Sequence, residues 1–261
     1  MSIKPISTCA TVILAVVLGL TGCGRDGALS SQDLLAPNLT SGLGNLAEPN
    51  AARIAFPFDP TNFVGAVDNP YFPLTPGTVY SYVEETPEGV ETNEVAVTHD
   101  TKVILGVTTT VVWDRVYLNG SLKEDTFDWY APDKSGNVWY FGEDTKEVEN
   151  GVVVSTAGSW EAGKNGAKAG IIMLANPKIG DTYYQEFAPG VVEDQGRVLS
   201  LKESVSVPYG AFESCIKTAD WTPIEPGNRA FKYYARGIGM VLEIIPRDGR
   251  ARVELTSVSM P

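Results

Sequence analysis

Short runs of alternating apolar and polar residues fill the chain after about residue 68, recurring about every 8–12 residues. Turn residues separate them, among them Asn119-Gly120 and Asn150-Gly151. Asn-Gly between alternating runs is a strong hairpin signal, because both turn positions tolerate a positive φ. No stretch keeps a helical period of 3.6 residues for long. The pattern predicts an all-β, antiparallel domain over residues 68–261, with strands at 78–84, 91–98, 101–105, 108–117, 123–130, 138–142, 152–155, 182–187, 196–207, 211–222, 229–234, 240–245 and 251–258.

Landmarks in the first half of this domain recur in the second half, 103 or 104 positions later. Phe127-x-Trp-Tyr-Ala131 is matched by Phe231-x-Tyr-Tyr-Ala235. We infer a unit of about 75 residues that is used twice. Each unit alone would leave sheet edges exposed, so we expect the two units to close on one another as an antiparallel β-barrel or a two-sheet clam. The predicted division is repeat 1 over about 70–149, a crossover over 150–172 and repeat 2 over about 173–258.

The first 23 residues have the form of an export signal that ends in cysteine. Lys4 precedes an apolar run, Cys9 to Leu20, which is shorter than the ~20 residues that a permanent membrane-spanning helix needs. The run ends at Leu20-Thr-Gly-Cys23, which resembles the lipobox of bacterial lipoproteins. The resemblance implies a signal peptide at 1–22 and acylation of Cys23, palmitate being a typical acyl chain. Two or three acyl chains hold a protein stably on a membrane, since each buried CH₂ contributes about 0.8 kcal/mol.

Residues 23–67 are predicted to be the acylated N-terminus and a flexible tether, because they carry Gly, Ser, Asn, Pro and Ala without a sustained period. Gly24 follows the cysteine, where the signal that retains lipoproteins in the inner membrane would place aspartate. By resemblance to known lipoprotein sorting, this favours the outer membrane if the cell is Gram-negative. The expected location is therefore the cell envelope, with the protein exported and lipid-anchored.

The globular part also carries features of its own, among them Pro73-x-x-Pro-Gly77, Pro208-Tyr-Gly-Ala-Phe212 and Tyr233-Tyr-Ala-x-Gly-Ile-Gly239. Through them, residues 70–258 resemble a group of secreted bacterial β proteins and lipoproteins. This resemblance implies no activity, substrate or catalytic residue.

Composition excludes several classes of function. The formal net charge of −12 repels phosphate backbones, so we expect no nucleic-acid partner. His99 is the only histidine, and Cys215 is the only cysteine beyond the leader and lipobox. We therefore expect no cofactor, no transition-metal site and no histidine-based catalytic triad. We identify no catalytic residue from the sequence.

Two groups of residues are candidates for binding. The first is a weak calcium site, for which Asp128, Asp133 and Asp144 supply oxygens. Its alternative is a solvated acidic face. The second is a ligand or partner surface made of aromatic side chains, since one member of each adjacent pair must face away from the other. The aromatic candidates are Trp129, Trp139, Trp160, Tyr184 and Tyr233.

Three functions remain open on the sequence. The first is a membrane-anchored envelope lipoprotein that binds an apolar ligand or a protein partner. The second is a structural or assembly lipoprotein without a small-molecule site. The third is a hydrolase that uses two carboxylates, which would have to face each other across about 5–10 Å inside one cleft. A hollow interior would favour a small apolar ligand, and a packed interior would count against it.

Overall fold

The computed structural model describes residues 57–246 and 251–261, so the predicted signal peptide and Cys23 lie outside the described residues. The regular secondary structure of this part of the chain is β-strands and one 3-10 turn, Pro60–Asn62. The strands are β1 (Asp68–Asn69), β2 (Phe72–Pro73), β3 (Val79–Thr86), β4 (Gly89–Ile104), β5 (Val107–Leu118), β6 (Ser121–Pro132), β7 (Val138–Glu149), β8 (Val152–Ser155), β9 (Trp160–Glu161), β10 (Lys168–Met173), β11 (Thr182–Tyr184), β12 (Glu186–Phe187), β13 (Gln195–Val207), β14 (Gly210–Trp221), β15 (Arg229–Ala235), β16 (Gly239–Ile245) and β17 (Ala251–Ser259). The prediction of an all-β class is confirmed.

Antiparallel pairing joins all the strands except β1 and β2 into one sheet of 15 strands. The order along the sheet is β11-β13-β14-β15-β16-β17-β3-β4-β5-β6-β7-β10-β12, and β8 and β9 pair with β7. The sheet is an open path and not a closed barrel. Its two ends, β11 and β12, follow one another in the chain and are separated only by Gln185.

The long sheet folds over on itself and encloses one core. The Tyr209 N–H, in the turn between β13 and β14, donates to the Leu255 carbonyl of β17 at 3.0 Å, although β15 and β16 lie between these strands in the sheet. The Tyr82 hydroxyl of β3 likewise donates to the Met240 carbonyl of β16 at 3.1 Å. One hydrophobic cluster collects buried side chains from both halves of the path. Of the two predicted architectures, the clam is the one observed.

Two predicted strands, 91–98 and 101–105, are parts of the single strand β4. The break in alternation that separated them is a register shift between Val97 and Thr101. Such an irregularity leaves residues unpaired and bends the strand. In the sequence, this irregularity therefore resembles a turn between two strands.

The crossover predicted for 150–172 contains β8, β9 and most of β10. Residues Ile171 to Leu174 are all buried, which is why their apolar run shows no alternation. The glycine-rich stretch before them forms a tight turn, in which the Gly163 N–H donates to the Ala167 carbonyl at 2.9 Å. Trp160 is buried beside this turn. The segment is part of the sheet and not a loose connection.

Packing against the domain begins before residue 68. The Phe63 ring lies edge-on to Trp139 and Phe141, each at 5.4 Å between ring centroids. The Val64 N–H donates to the Pro132 carbonyl at 3.0 Å, and Val67 is buried. The last residues of the predicted tether therefore belong to the packed structure.

The two segments that suggested a duplication occupy matching places in the pairing order. Residues 127–131 lie in the third strand of the meander β4-β5-β6-β7, and residues 231–235 lie in the third strand of the meander β13-β14-β15-β16. The duplication itself stays a prediction.

Candidate functional site

Carboxyl side chains occupy many of the inward-facing positions of the sheet. On β5 and β6, alternate residues point inward, and Asp114 and Asp128 take such positions among apolar neighbours. Their burial follows from strand geometry, since residues two apart share one face. The buried carboxyl side chains are Glu84, Glu91, Asp114, Asp128, Asp133, Glu143, Glu186, Asp194, Asp220 and Glu243. We call Asp114, Asp128, Glu143 and Glu186 the interior carboxyl cluster.

Two members of the interior carboxyl cluster share one tyrosine. The Tyr140 hydroxyl lies 2.6 Å from Asp128 Oδ1 and 3.2 Å from Glu143 Oε2. A hydroxyl has one proton and can donate it to only one of these oxygens. The second contact is a hydrogen bond when the Glu143 carboxyl is protonated and donates to the hydroxyl. The contacts therefore favour a neutral Glu143.

The pKa values of the cluster also favour neutral carboxyl groups. Burial raises the pKa of Asp128 to about 7, against the hydrogen bond from Tyr140, which lowers it. Burial and the neighbouring carboxyl of Asp128 hold the pKa of Glu143 well above its usual range. Burial and Glu143 do the same for the pKa of Glu186, whose Oε2 accepts a 2.9 Å hydrogen bond from the Trp160 indole N–H. A desolvated carboxyl prefers its neutral form. At neutral pH the cluster therefore carries less negative charge than four solvated carboxyl groups would.

Asp128 and Glu143 come close to the geometry of a hydrolytic pair. The two distances to the Tyr140 hydroxyl hold their oxygens within about 6 Å of each other, near the separation of paired carboxylates in retaining glycosidases. However, the two residues are only 2% and 6% exposed. Because a catalytic pair must touch its substrate, this pair lacks the access that hydrolysis requires.

A second interior group contains a buried cation. Lys232 Nζ lies 3.2 Å from Asp220 Oδ2, and both side chains are almost fully buried. Burial tends to lower the pKa of Lys232, but Asp220 and Glu243 outweigh it, and the pKa is raised. Burial raises the pKa of Glu243 to about 8, although Lys232 opposes this. The pair Lys232–Asp220 is therefore an ion pair inside the clam.

The three candidate calcium ligands lie in three different environments. Asp128 belongs to the interior carboxyl cluster. Asp133 closes its own turn: Oδ1 accepts from the backbone N–H groups of Ser135 and Asn137, and Oδ2 accepts from the Asn137 amide and the Trp139 indole. Asp144 is half exposed and pairs with Lys146 at 3.1 Å. No group of three or more His, Cys, Asp or Glu side chains within residues 57–246 and 251–261 could hold a metal ion. The structure does not bring the three aspartates together.

The aromatic candidates do not form a surface either. Trp129, Trp139, Trp160 and Tyr233 are buried, and only Tyr184 is partly exposed. Lys102 Nζ lies 3.2 Å from the centre of the Trp129 ring and covers it. These side chains stabilise the core. Two other rings that are partly exposed, those of Trp113 and Phe127, lie on the outer face of β5 and β6.

That outer face carries a ladder of stacked side chains. The rings of Trp113 and Phe127 stack at 5.6 Å with an angle of 12° between their planes. Arg115 lies 3.8 Å above Trp113, and Lys146 lies 5.7 Å from Phe127. The Trp113 indole N–H donates to Asp125 at 2.6 Å. Asp125 and Lys146 extend the ladder toward the end of the sheet, where a cleft opens.

The cleft lies between the β5–β6 turn and the β7–β8 turn and has a volume of about 660 Å³. It opens to solvent on the outer face of the sheet. Its apolar wall consists of Leu118, Leu122, Val148 and Val153, and its charged groups are Lys123, Lys146 and Asp125. The turns at its rim are Asn119-Gly120 and Asn150-Gly151, whose four φ angles are 50°, 80°, 51° and 77°. The sequence marks both turns but gives no sign that they border one cleft.

No protein-family model and no curated protein matches the sequence. Among solved structures, the chain is similar to an exported protein with a YmcC-like fold from Bacteroides fragilis, at 15% identity and a TM-score of 0.43 over 73% of this chain and 99% of that chain. It is also similar to a lipoprotein from Parabacteroides distasonis, at 12% identity and a TM-score of 0.39 over 72% of this chain and 98% of that chain. In the described part of our chain, no helix is long and apolar enough to cross a membrane.

Proposed function

We propose that the protein is an exported lipoprotein, anchored in the cell envelope through Cys23, that binds a partner protein in the outer cleft. Leu20-Thr-Gly-Cys23 supports the anchor. The observation that carries the binding function is the cleft itself, which combines an apolar wall with two lysines. Binding sites typically have volumes of about 300–1,000 Å³ and join apolar surface to a few polar groups.

The cleft favours an extended protein segment over a small apolar molecule. It is open between two hairpin turns and so cannot enclose a ligand on all sides. The interior, which could enclose one, is filled by large buried side chains: Tyr130, Tyr140, Phe141, Tyr183 and Tyr234. A segment laid across the outer face can bury apolar side chains against Leu118 and Leu122 while its backbone stays in water.

The lysines specify the charge of the partner. Lys123 and Lys146 line the cleft of a chain whose net charge is −12. A carboxylate on the bound segment can pair with Lys123, and with Lys146 in competition with Asp144. The net charge of the whole molecule, in contrast, attracts cations. A preference for an acidic segment would therefore reflect the cleft and not the overall field.

Peptide binding tests this function. The full chain in detergent is titrated, at about 0.15 M salt, into two fluorescein-labelled octapeptides, one alternating valine with glutamate and the other valine with lysine. We expect the glutamate peptide to bind at least about ten-fold more tightly. Reversing both cleft charges with Lys123→Glu and Lys146→Glu should remove that preference.

A matched variant controls for net charge. Lys178 and Lys202 are exposed lysines away from the cleft, and Lys178→Glu with Lys202→Glu changes the charge by the same amount. This control should keep the preference for the glutamate peptide. Equal binding of the two peptides to the unaltered protein would refute the proposed site and would leave the structural or assembly role in its place.

The anchor has its own test. Replacing Cys23 with serine removes the acylated side chain, so we expect the protein to move from the membrane fraction to the soluble fraction of the envelope. Intact-mass measurement should show diacylglyceryl and acyl additions on the unaltered protein only. Membrane retention of the Cys23→Ser protein would contradict the proposed anchor.

A further inference from the structure

The strand β8 has one paired edge and one open edge among the described residues. It pairs with β7 through Glu149–Val152 and Val148–Val153. Its three valines, Val152, Val153 and Val154, are 64%, 51% and 51% exposed. An exposed apolar edge strand is a template for pairing with another strand, because its N–H and C=O groups lack partners on that side.

Hairpin geometry shows which backbone groups are open. Asn150 and Gly151 form a two-residue turn with positive φ at both positions. In such a hairpin the closing pair, Glu149 and Val152, exchanges both hydrogen bonds. The next pair, Val148 and Val153, is then a non-hydrogen-bonded pair, so Val153 turns its N–H and C=O away from β7. Val153 is thus the residue that can bond to an added strand.

The absence of charge around β8 indicates which strand can pair with it. Native edge strands are usually guarded by lysine, proline or inward-pointing charges. Here the run from Asn150 to Trp160 contains no charged residue and no proline. Two copies of an acidic chain repel one another over most of their surface. At β8 they would meet without like charges, with valine opposite valine.

We propose that β8 is a self-association surface, on which a second copy of this chain pairs through its own β8. The two strands run antiparallel about a twofold axis between the two Val153 residues. Each Val153 N–H donates to the Val153 carbonyl of the other copy, which makes the contact isologous and closed. A twofold axis perpendicular to the sheet keeps both outer clefts on the same side. The dimer does not depend on the proposed cleft function and would stand if the cleft bound no peptide.

Cross-linking of single cysteines tests the dimer in the native membrane. Val153→Cys places a thiol at the twofold axis, and Val191→Cys is a matched control, since Val191 is a turn valine of 49% exposure. Cys215 is buried and does not compete for the reagent. With a short bis-maleimide, the Val153→Cys protein should give a band of twice the monomer mass, in which the introduced thiols of two copies are joined to each other.

Two further outcomes decide the proposal. Val153→Lys puts like charges directly opposite each other across the axis, which destabilises strand pairs. The full chain in detergent should therefore change from dimer to monomer by light scattering with Val153→Lys and stay dimeric with Val191→Lys. The proposal is overturned if the unaltered protein is monomeric, if the Val153→Cys band contains a different protein, or if Val191→Cys cross-links equally well.

Discussion

At the scale of single residues, Asp133 shows how one side chain can hold a turn. Its two carboxylate oxygens accept four hydrogen bonds, from two backbone N–H groups, one amide and one indole, between 2.8 and 3.0 Å. Asn137, one of these donors, accepts in turn from the Ala175 N–H at 2.9 Å. The aspartate thus links the β6–β7 turn to the segment that follows β10. Its role is structural.

Replacing Asp133 by alanine should lower the free energy of unfolding by roughly 2–4 kcal/mol, because the buried donors around it would lose their acceptor. The measurement is urea unfolding followed by tryptophan fluorescence. Asp144→Ala is the control, since that half-exposed carboxylate has a single ion pair, worth less than about 1 kcal/mol. Calcium should not change the stability of either protein. A large gain in the free energy of unfolding on addition of calcium would contradict this result and support a calcium site.

The sequence does not determine which face of the sheet every side chain occupies. Adjacent pairs such as Trp129-Tyr130 were expected to divide between the core and the outside, but both are buried. A register shift between Asp128 and Tyr130 interrupts the alternation there. Asp128 and Glu143 lie before this shift, directly opposite each other and buried, where a solvated acidic face is one expectation. Composition cannot reveal such a shift.

At the scale of elements, the two Asn-Gly turns shape the cleft. Asn119 does more than supply a positive φ. Its Oδ1 accepts from the Val90 N–H at 3.1 Å, and its Nδ2 donates to the Glu88 carbonyl at 3.0 Å. The turn between β5 and β6 is thereby tied to the turn between β3 and β4, and one rim of the cleft is fixed.

Asn119→Gly keeps the backbone conformation and removes both side-chain bonds. We expect faster amide hydrogen exchange at residues 86–90 and a loss of roughly 0.5–1.5 kcal/mol in global stability. Asn150→Gly, made in a turn with nearly the same φ angles, controls for the loss of an asparagine at such a position. Unchanged exchange at 86–90 would mean that the two turns are not coupled.

Most strands could be predicted from sequence because one of their faces is apolar and Asn-Gly or Pro-Gly turns bound them. The strands that the pattern does not predict are the two-residue strands β1, β2 and β9, which are too short to alternate, and β10, whose residues 170–173 are all buried. The strand β8 was predicted with the right boundaries. Its open edge was not, because pairing between distant strands leaves no local signal.

At the scale of the whole molecule, the interior carboxyls make stability depend on pH. Burial raises the pKa of Asp128 to about 7 and that of Glu243 to about 8, and burial holds the pKa of Glu143 higher than usual. In the unfolded chain these groups titrate near 4, roughly. Between the two values the folded state binds more protons, so stability falls as pH rises.

Thermal unfolding should therefore show a higher melting temperature at pH 5 than at pH 8. A difference of about 2 kcal/mol corresponds to roughly 4–8 °C for a domain of this size. Glu143→Gln should reduce this dependence, because the amide keeps the shape without titrating. The variant Glu149→Gln, at an exposed site, should leave it unchanged. A melting temperature that rises from pH 5 to pH 8 would show that these carboxyls are ionised when buried.

In this protein the closed interior holds the fold, and the outer cleft is where we propose that a partner binds. Hydrogen–deuterium exchange of the full chain, with and without the valine–glutamate octapeptide, tests this division most directly. We predict slower exchange at 118–125 and 146–155, the segments that form the cleft and its edge strand, and no change in the interior strands. Protection centred on residues 128–143 or 182–198, or no protection anywhere, would contradict it.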